Sequence, residues 1–77
     1  MFTIQVFDSK SGKALKNVAV SIVFDGMRGA TKFEFADNNG EVNFDYRTGT
    51  GKVFVKTCGI SYLCYDGSLA GRVMVYC

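Results

Sequence analysis

Val18, Val20, Ile22 and Phe24 fall on one side of an extended chain, with Ala19, Ser21 and Val23 on the other. A period of two is the signature of a strand with one buried face. The same pattern recurs along the sequence, and no segment carries the spacing of an amphipathic helix. Phe2, Ile4 and Val6 alternate within residues 2–8. Thr31, Phe33 and Phe35 share a face between Lys32 and Glu34. Val42, Phe44 and Tyr46 alternate with Glu41, Asn43 and Asp45, and Val53 and Val55 stand opposite Lys52, Phe54 and Lys56. Residues 60–65 are apolar on both faces, which predicts a central or covered strand. Residues 69–77 close the chain, with Val73 and Val75 as core. Seven short strands predict an all-β, antiparallel β-sandwich or small barrel.

The turns between these runs have their own chemistry. Asn39-Gly40 accepts the positive φ that a tight turn or glycine bulge requires. Asp66-Gly67, between Tyr65 and Ser68, is the strongest two-residue hairpin signal in the chain. There is no proline, so edge strands must be protected by charge, bulges or partners, and a homodimer by edge-strand pairing is one expectation. The 77 residues make one domain, 1–77, with 48% apolar residues to fill a modest core.

Two stretches carry a family pattern. Val6 and Asp8 end the first strand; Ser11, Gly12 and Lys13 form the loop; Leu15, Asn17, Val18 and Val20 lead into the second strand. Asp37, Gly40, Val42 and Phe44 follow, with Ala36 at a threonine position and Val42 at an aromatic one. Over residues 2–60 this order and separation resembles a carboxypeptidase regulatory-like, or transthyretin-like (prealbumin-like), domain. The resemblance implies a seven-stranded, transthyretin-like antiparallel sandwich. Asp8 and Ser9 would bond nearby backbone donors and end the first strand. Leu15 would turn back to plug one end of the sandwich. Ala14 stands where the family often has proline.

Candidate chemistry is sparse. The chain has no histidine, which removes the usual general base and commonest metal ligand. A Ser/Cys–His mechanism is closed to it, as is the histidine-dependent urate-pathway hydrolase branch that the resemblance brings in. Gly49-Thr50-Gly51-Lys52 lacks the first glycine and the final Ser/Thr of a phosphate loop, because Tyr46 and Val53 occupy those positions. Asp37, Asn38, Asn39 and Glu41 are oxygen donors suited to calcium, but Thr48 stands at the twelfth position where an EF-hand needs a carboxylate. Turn chemistry is the simpler reading there. An internal Lys–Asn isopeptide bond would need an asparagine near the last strand, and residues 60–77 hold none. Lys32, Arg47, Lys52, Phe54 and Lys56 interleave cations with aromatics, but Glu34, Asp37, Glu41 and Asp45 interrupt the charge.

Three cysteines leave at least one thiol free or paired with another chain. With a hairpin at Asp66-Gly67, Cys64 faces Leu69, Cys58 falls opposite Val75, and Cys77 lies diagonally from Cys58. Free thiols, a Cys58–Cys77 bridge across a shifted register, and metal or redox chemistry all stand as readings.

These observations predict a non-enzymatic binding or scaffold module that contacts a protein or glycan through exposed strands and loops. Phe54, Tyr62, Tyr65 and Tyr76 are the candidate ligand-binding residues, because aromatic rings combine area with rigidity. No catalytic residue, cofactor or metal is expected. The alternative is a thiol-bearing metal-binding or redox protein using Cys58, Cys64 or Cys77. A net charge of +2 and the lack of a long apolar run argue against nucleic acid and membrane insertion. Phe2-Thr3-Ile4-Gln5-Val6 alternates and no basic segment precedes it, unlike a signal peptide, so a cytoplasmic protein or a processed extracytoplasmic domain is expected.

Overall fold

A computed structural model describes residues 1–26, 30–46, 49–57 and 59–77. Seven strands occur among them: β1 (Phe2–Phe7), β2 (Ala19–Phe24), β3 (Glu34–Phe35), β4 (Glu41–Phe44), β5 (Gly49–Thr57), β6 (Ile60–Leu69) and β7 (Arg72–Tyr76). They form two sheets, ordered β4-β1-β7 and β3-β2-β5-β6. The alternating apolar residues meet between the sheets. Phe2, Ile4 and Val6 of β1, Val42 and Phe44 of β4, and Val73 and Val75 of β7 face Val20, Ile22, Val53, Val55 and Leu69 of the second sheet. Phe2 stacks on Phe44 at 5.8 Å and meets Phe24 edge-on at 6.0 Å, so one end of the sandwich is closed by aromatic rings. Truncating a buried phenylalanine typically costs about 3–5 kcal/mol, which makes this end the strongly held one.

Two expectations of topology need correction. Antiparallel pairing holds for β1–β4, β2–β3, β2–β5 and β5–β6, but β1 and β7 run parallel, from Thr3 opposite Arg72 to Phe7 opposite Tyr76. The sandwich is therefore mixed. The second correction concerns Asp66-Gly67, which makes no hairpin. Asp66 lies opposite Lys52 and Gly67 opposite Gly51, inside the β5–β6 ladder. The nine residues of β5 offer a longer partner than β7 does, and an opposite-charge cross-strand pair favours that register. The chain turns four residues later instead, at Gly71 with φ 62°, and crosses to the other sheet.

Residues 60–65 were expected to be central or covered; β6 instead lies at the margin of its sheet, with Ile60, Tyr62 and Leu63 exposed. The first sheet ends at Phe7 and Tyr76, so Ile60 and Tyr62 are left exposed, while Cys64 and Tyr65 still pack against the core and Leu63 lies with Phe54 on the outer face. The expected strand around Thr31, Phe33 and Phe35 is reduced to two residues. Thr31 is buried and clamps β2: its amide donates to the Ile22 carbonyl at 2.8 Å, and its hydroxyl accepts from the Ile22 amide at 2.9 Å.

The two sequence motifs meet at one corner. Gly40 holds φ 75°, and a Cβ there would lie 2.7 Å from the Val6 carbonyl oxygen and 3.1 Å from that of Leu15. The Val6 amide donates to the Gly40 carbonyl at 2.9 Å. Asp37 completes the turn, its Oδ1 accepting from the amides of Asn39 and Glu41 at 2.8 and 3.0 Å. This is turn chemistry, as the residue types predict. Leu15 packs against the core from the same corner.

Gly40→Ala is therefore expected to destabilise the domain by more than about 3 kcal/mol, since a strained φ and a backbone collision act together. Gly12→Ala shares the positive φ but meets nothing within 4 Å, and its cost should stay near 1 kcal/mol. Urea unfolding of both variants measures the difference.

Candidate functional site

The β5–β6 hairpin turns through Gly59, with φ 80°, and Thr57 pairs with Ile60 beside it. Beyond the reach of the first sheet, β6 presents Ile60, Tyr62 and Leu63 at 55%, 49% and 53% exposure. A groove of about 510 Å³ runs between this part of β6 and the far end of the other sheet. Tyr62, Leu63 and Cys64 form one wall, and Asp8, Leu15, Tyr76 and Cys77 form the other. Tyr76 is held by stacking on Phe7 at 5.3 Å.

The pairing of the cysteines corrects two of the expectations. Cys64 and Cys77 form a disulfide with a Cα–Cα distance of 5.3 Å, so neither is the free thiol first expected, and Cys77 does not pair with Cys58. Cys58 lies outside the described residues. The register argument failed because it rested on a hairpin at Asp66-Gly67. Without that hairpin, a shift in the ladder between Val53 and Phe54 leaves Cys64 without a partner on β5. Its sulfur then bridges to the end of the other sheet. While the bridge is intact, neither Cys64 nor Cys77 offers a thiolate to a metal. Among the described residues no group of three or more His, Cys, Asp or Glu side chains is placed to hold a metal ion.

Of the four aromatic candidates, the structure brings Tyr62 and Tyr76 together and leaves the other two apart. Phe54 is half-buried on the outer face of the second sheet, paired across the ladder with Leu63. Tyr65 packs against the core and lies over Gly67, its hydroxyl donating to the Ser68 carbonyl at 2.7 Å. Its polar tip is already engaged inside β6. Leu15, Leu63 and Asp8 were missed as lining residues. Asp8 and Leu15 lie in the connection between β1 and β2, where the sequence pattern gives them only turn and packing roles, and Leu63 falls in a stretch apolar on both faces that reads as covered.

No protein-family model, curated protein or solved structure matches this chain.

A second, smaller depression of about 400 Å³ lies on the outer face of the second sheet, lined by Ala19, Phe33, Phe35 and Lys56. The Lys56 ammonium sits 5.5 Å from the centre of the Phe33 ring. Lys52 of β5 stands opposite Asp66. Of the basic residues singled out in the sequence, Arg47 lies outside the described residues.

At the groove's polar end, Asp8 closes a tight loop. Its Oδ1 accepts from the Lys10 amide at 2.9 Å, and its own amide donates to the Lys13 carbonyl at 2.8 Å. The Lys10 amide, aided by Ser11, holds the Asp8 carboxyl below its ordinary value of 3.8. A lowered carboxylate contributes its stabilisation fully above that ordinary value and loses it as pH falls through the lower folded-state value. Asp8→Asn should accordingly lower the melting temperature slightly in the neutral region and converge with the unmodified protein as pH falls below 3.8, as thermal melts from neutral to acid pH will register.

The disulfide closes a loop with a sequence separation of 13. Reducing it, or making Cys64→Ala with Cys77→Ala, should lower unfolding stability by about 3 kcal/mol. Alkylation without reductant should label no more than one of the three cysteines, read by intact mass.

Proposed function

We propose that this domain is a non-enzymatic binding module that takes an extended segment of a partner protein along β6. One observation carries the reading. β6 is ten residues long, lies at a sheet margin, exposes Ile60, Tyr62 and Leu63, and bears a single charged residue, Asp66. Natural edge strands are usually kept short, charged or covered. The other margins follow that rule: β3 has two residues, and the Glu41 of β4 is paired at 3.3 Å with the Arg72 of β7. A strand added to an open edge gains affinity from main-chain hydrogen bonds and specificity from pockets for alternate side chains. The groove beside Tyr62 and Tyr76 supplies such a pocket. Ile60 and Leu63 favour a protein over a glycan, since aliphatic side chains offer sugar hydroxyls no partners.

Kinship with transthyretin-like sandwiches belongs to the same proposal. It is supported by the way the two motifs interlock through Gly40, and by Leu15 closing the end of the core. The disulfide favours an oxidising compartment.

The test is selection from a displayed library of short peptides beside an oligosaccharide array. Selected peptides should perturb the amide resonances of residues 60–65, and Tyr62→Ala and Leu63→Ala should each weaken binding about tenfold or more. Oligosaccharide hits without peptide hits would overturn the reading, as would peptides that leave β6 unperturbed.

A further inference from the structure

The two walls of the groove come from different sheets, and one covalent bond joins them. Tyr62, Leu63 and Cys64 stand at the margin of the second sheet, while Tyr76 and Cys77 end the first. Cys77 is pinned to the end of β1: its amide donates to the Phe7 carbonyl at 2.9 Å, and its carbonyl accepts from the Ser9 amide at 2.9 Å. Cys64 sits where the β5–β6 ladder is interrupted. The bond thus runs from a discontinuity in an edge strand to a well-held point on the opposite sheet. Elsewhere the sheets are held by the buried cluster of Phe2, Ile4, Val20, Ile22, Phe44 and Val53, against whose edge Cys64 and Cys77 pack. Both cysteines are half-buried and line an open groove, so a small reductant reaches them.

We propose that this groove is a redox-conditional binding site. The Cys64–Cys77 bond holds its walls together in the binding geometry, and a dithiol reductant separates them while the sandwich stays folded. The inference rests on reading this face as a peptide-binding surface. A thiolate of the dithiol attacks one sulfur of the bridge, giving a mixed disulfide and releasing the other cysteine. The second thiol then displaces the remaining cysteine. The reductant leaves as a disulfide, and two electrons and two protons end on the Cys64 and Cys77 thiols. Ile60, Tyr62 and Leu63 are then held chiefly by their ladder to β5, and Cys64, unpaired in that ladder, keeps its packing at the edge of the core. Segments with few buried contacts are the ones that open locally.

The experiment is amide hydrogen exchange, followed by NMR, on the oxidised protein and on protein reduced with dithiothreitol. On reduction, the β6 amides bonded to β5 over residues 60–65, with those of Ser9 and Cys77, should exchange on the order of a hundredfold faster, as loss of so short a closed loop implies. The amides of Val20, Phe44 and Val53 should keep their protection. Equal acceleration at all these sites, cooperative unfolding on reduction, or no change at β6 would each overturn the proposal. The Cys64→Ala, Cys77→Ala double variant should reproduce the reduced pattern and ignore dithiothreitol. A response in that variant would assign the effect to another group and sink the idea. The readout needs no partner, so its failure is distinct from a failure of the peptide selection.

Discussion

The contact between Gly40 and the carbonyl groups of Val6 and Leu15 is the constraint on which the corner of this sandwich is built. It brings the connection between β1 and β2 against the crossing from β3 to β4, with no room for a side chain between them. Once that approach is made, β4 lies beside β1 with Ile4 opposite Val42, and Leu15 is directed onto the core. The loop that begins at Asp8 is then fixed beside the end of β7, where the Ser9 amide reaches the Cys77 carbonyl. A backbone collision avoided at one residue thereby positions one wall of a groove at the far side of the same loop.

The two ends of the sandwich are held by different physics. Phe2, Phe24, Phe44 and Tyr46 close one end with ring contacts between 5.7 and 6.3 Å, burying apolar area without chemical dependence on the surroundings. At the other end the sheets diverge in length, and the Cys64–Cys77 bond spans the gap. A 77-residue chain buries too little surface to close both ends equally well by packing alone. Local stability should therefore fall from the aromatic end toward the end that carries Tyr62 and Tyr76.

Much of the fold was legible from alternation. The order of the seven strands, the burial of Val20, Ile22, Val53, Val73 and Val75, and the turn at Asp37–Gly40 follow from local pattern and turn chemistry. The errors share one cause. Asp66-Gly67 is a good hairpin sequence only if Tyr65 and Ser68 pair with each other, and β5 competes successfully for that stretch. From that one misplaced turn followed the wrong cysteine geometry and the hidden connection between β6 and β7. The candidate site was half legible: Tyr62 and Tyr76 lie on one groove, while Tyr65 serves β6 itself and Phe54 faces elsewhere.

Period-two alternation is a local property, because successive side chains on an extended chain point to opposite faces whatever lies beyond. It determined that this chain builds strands, which residues face inward on most of them, and where positive-φ glycines allow a corner. Which strand lies beside which is a non-local choice. The tertiary structure alone decided that β7 runs parallel to β1, that β6 is an edge rather than a centre, and that Cys64 meets Cys77. An apolar residue is buried only where another layer covers it; the first sheet stops short of Ile60 and Tyr62, and Leu63 lies with Phe54 on the outer face of the second sheet.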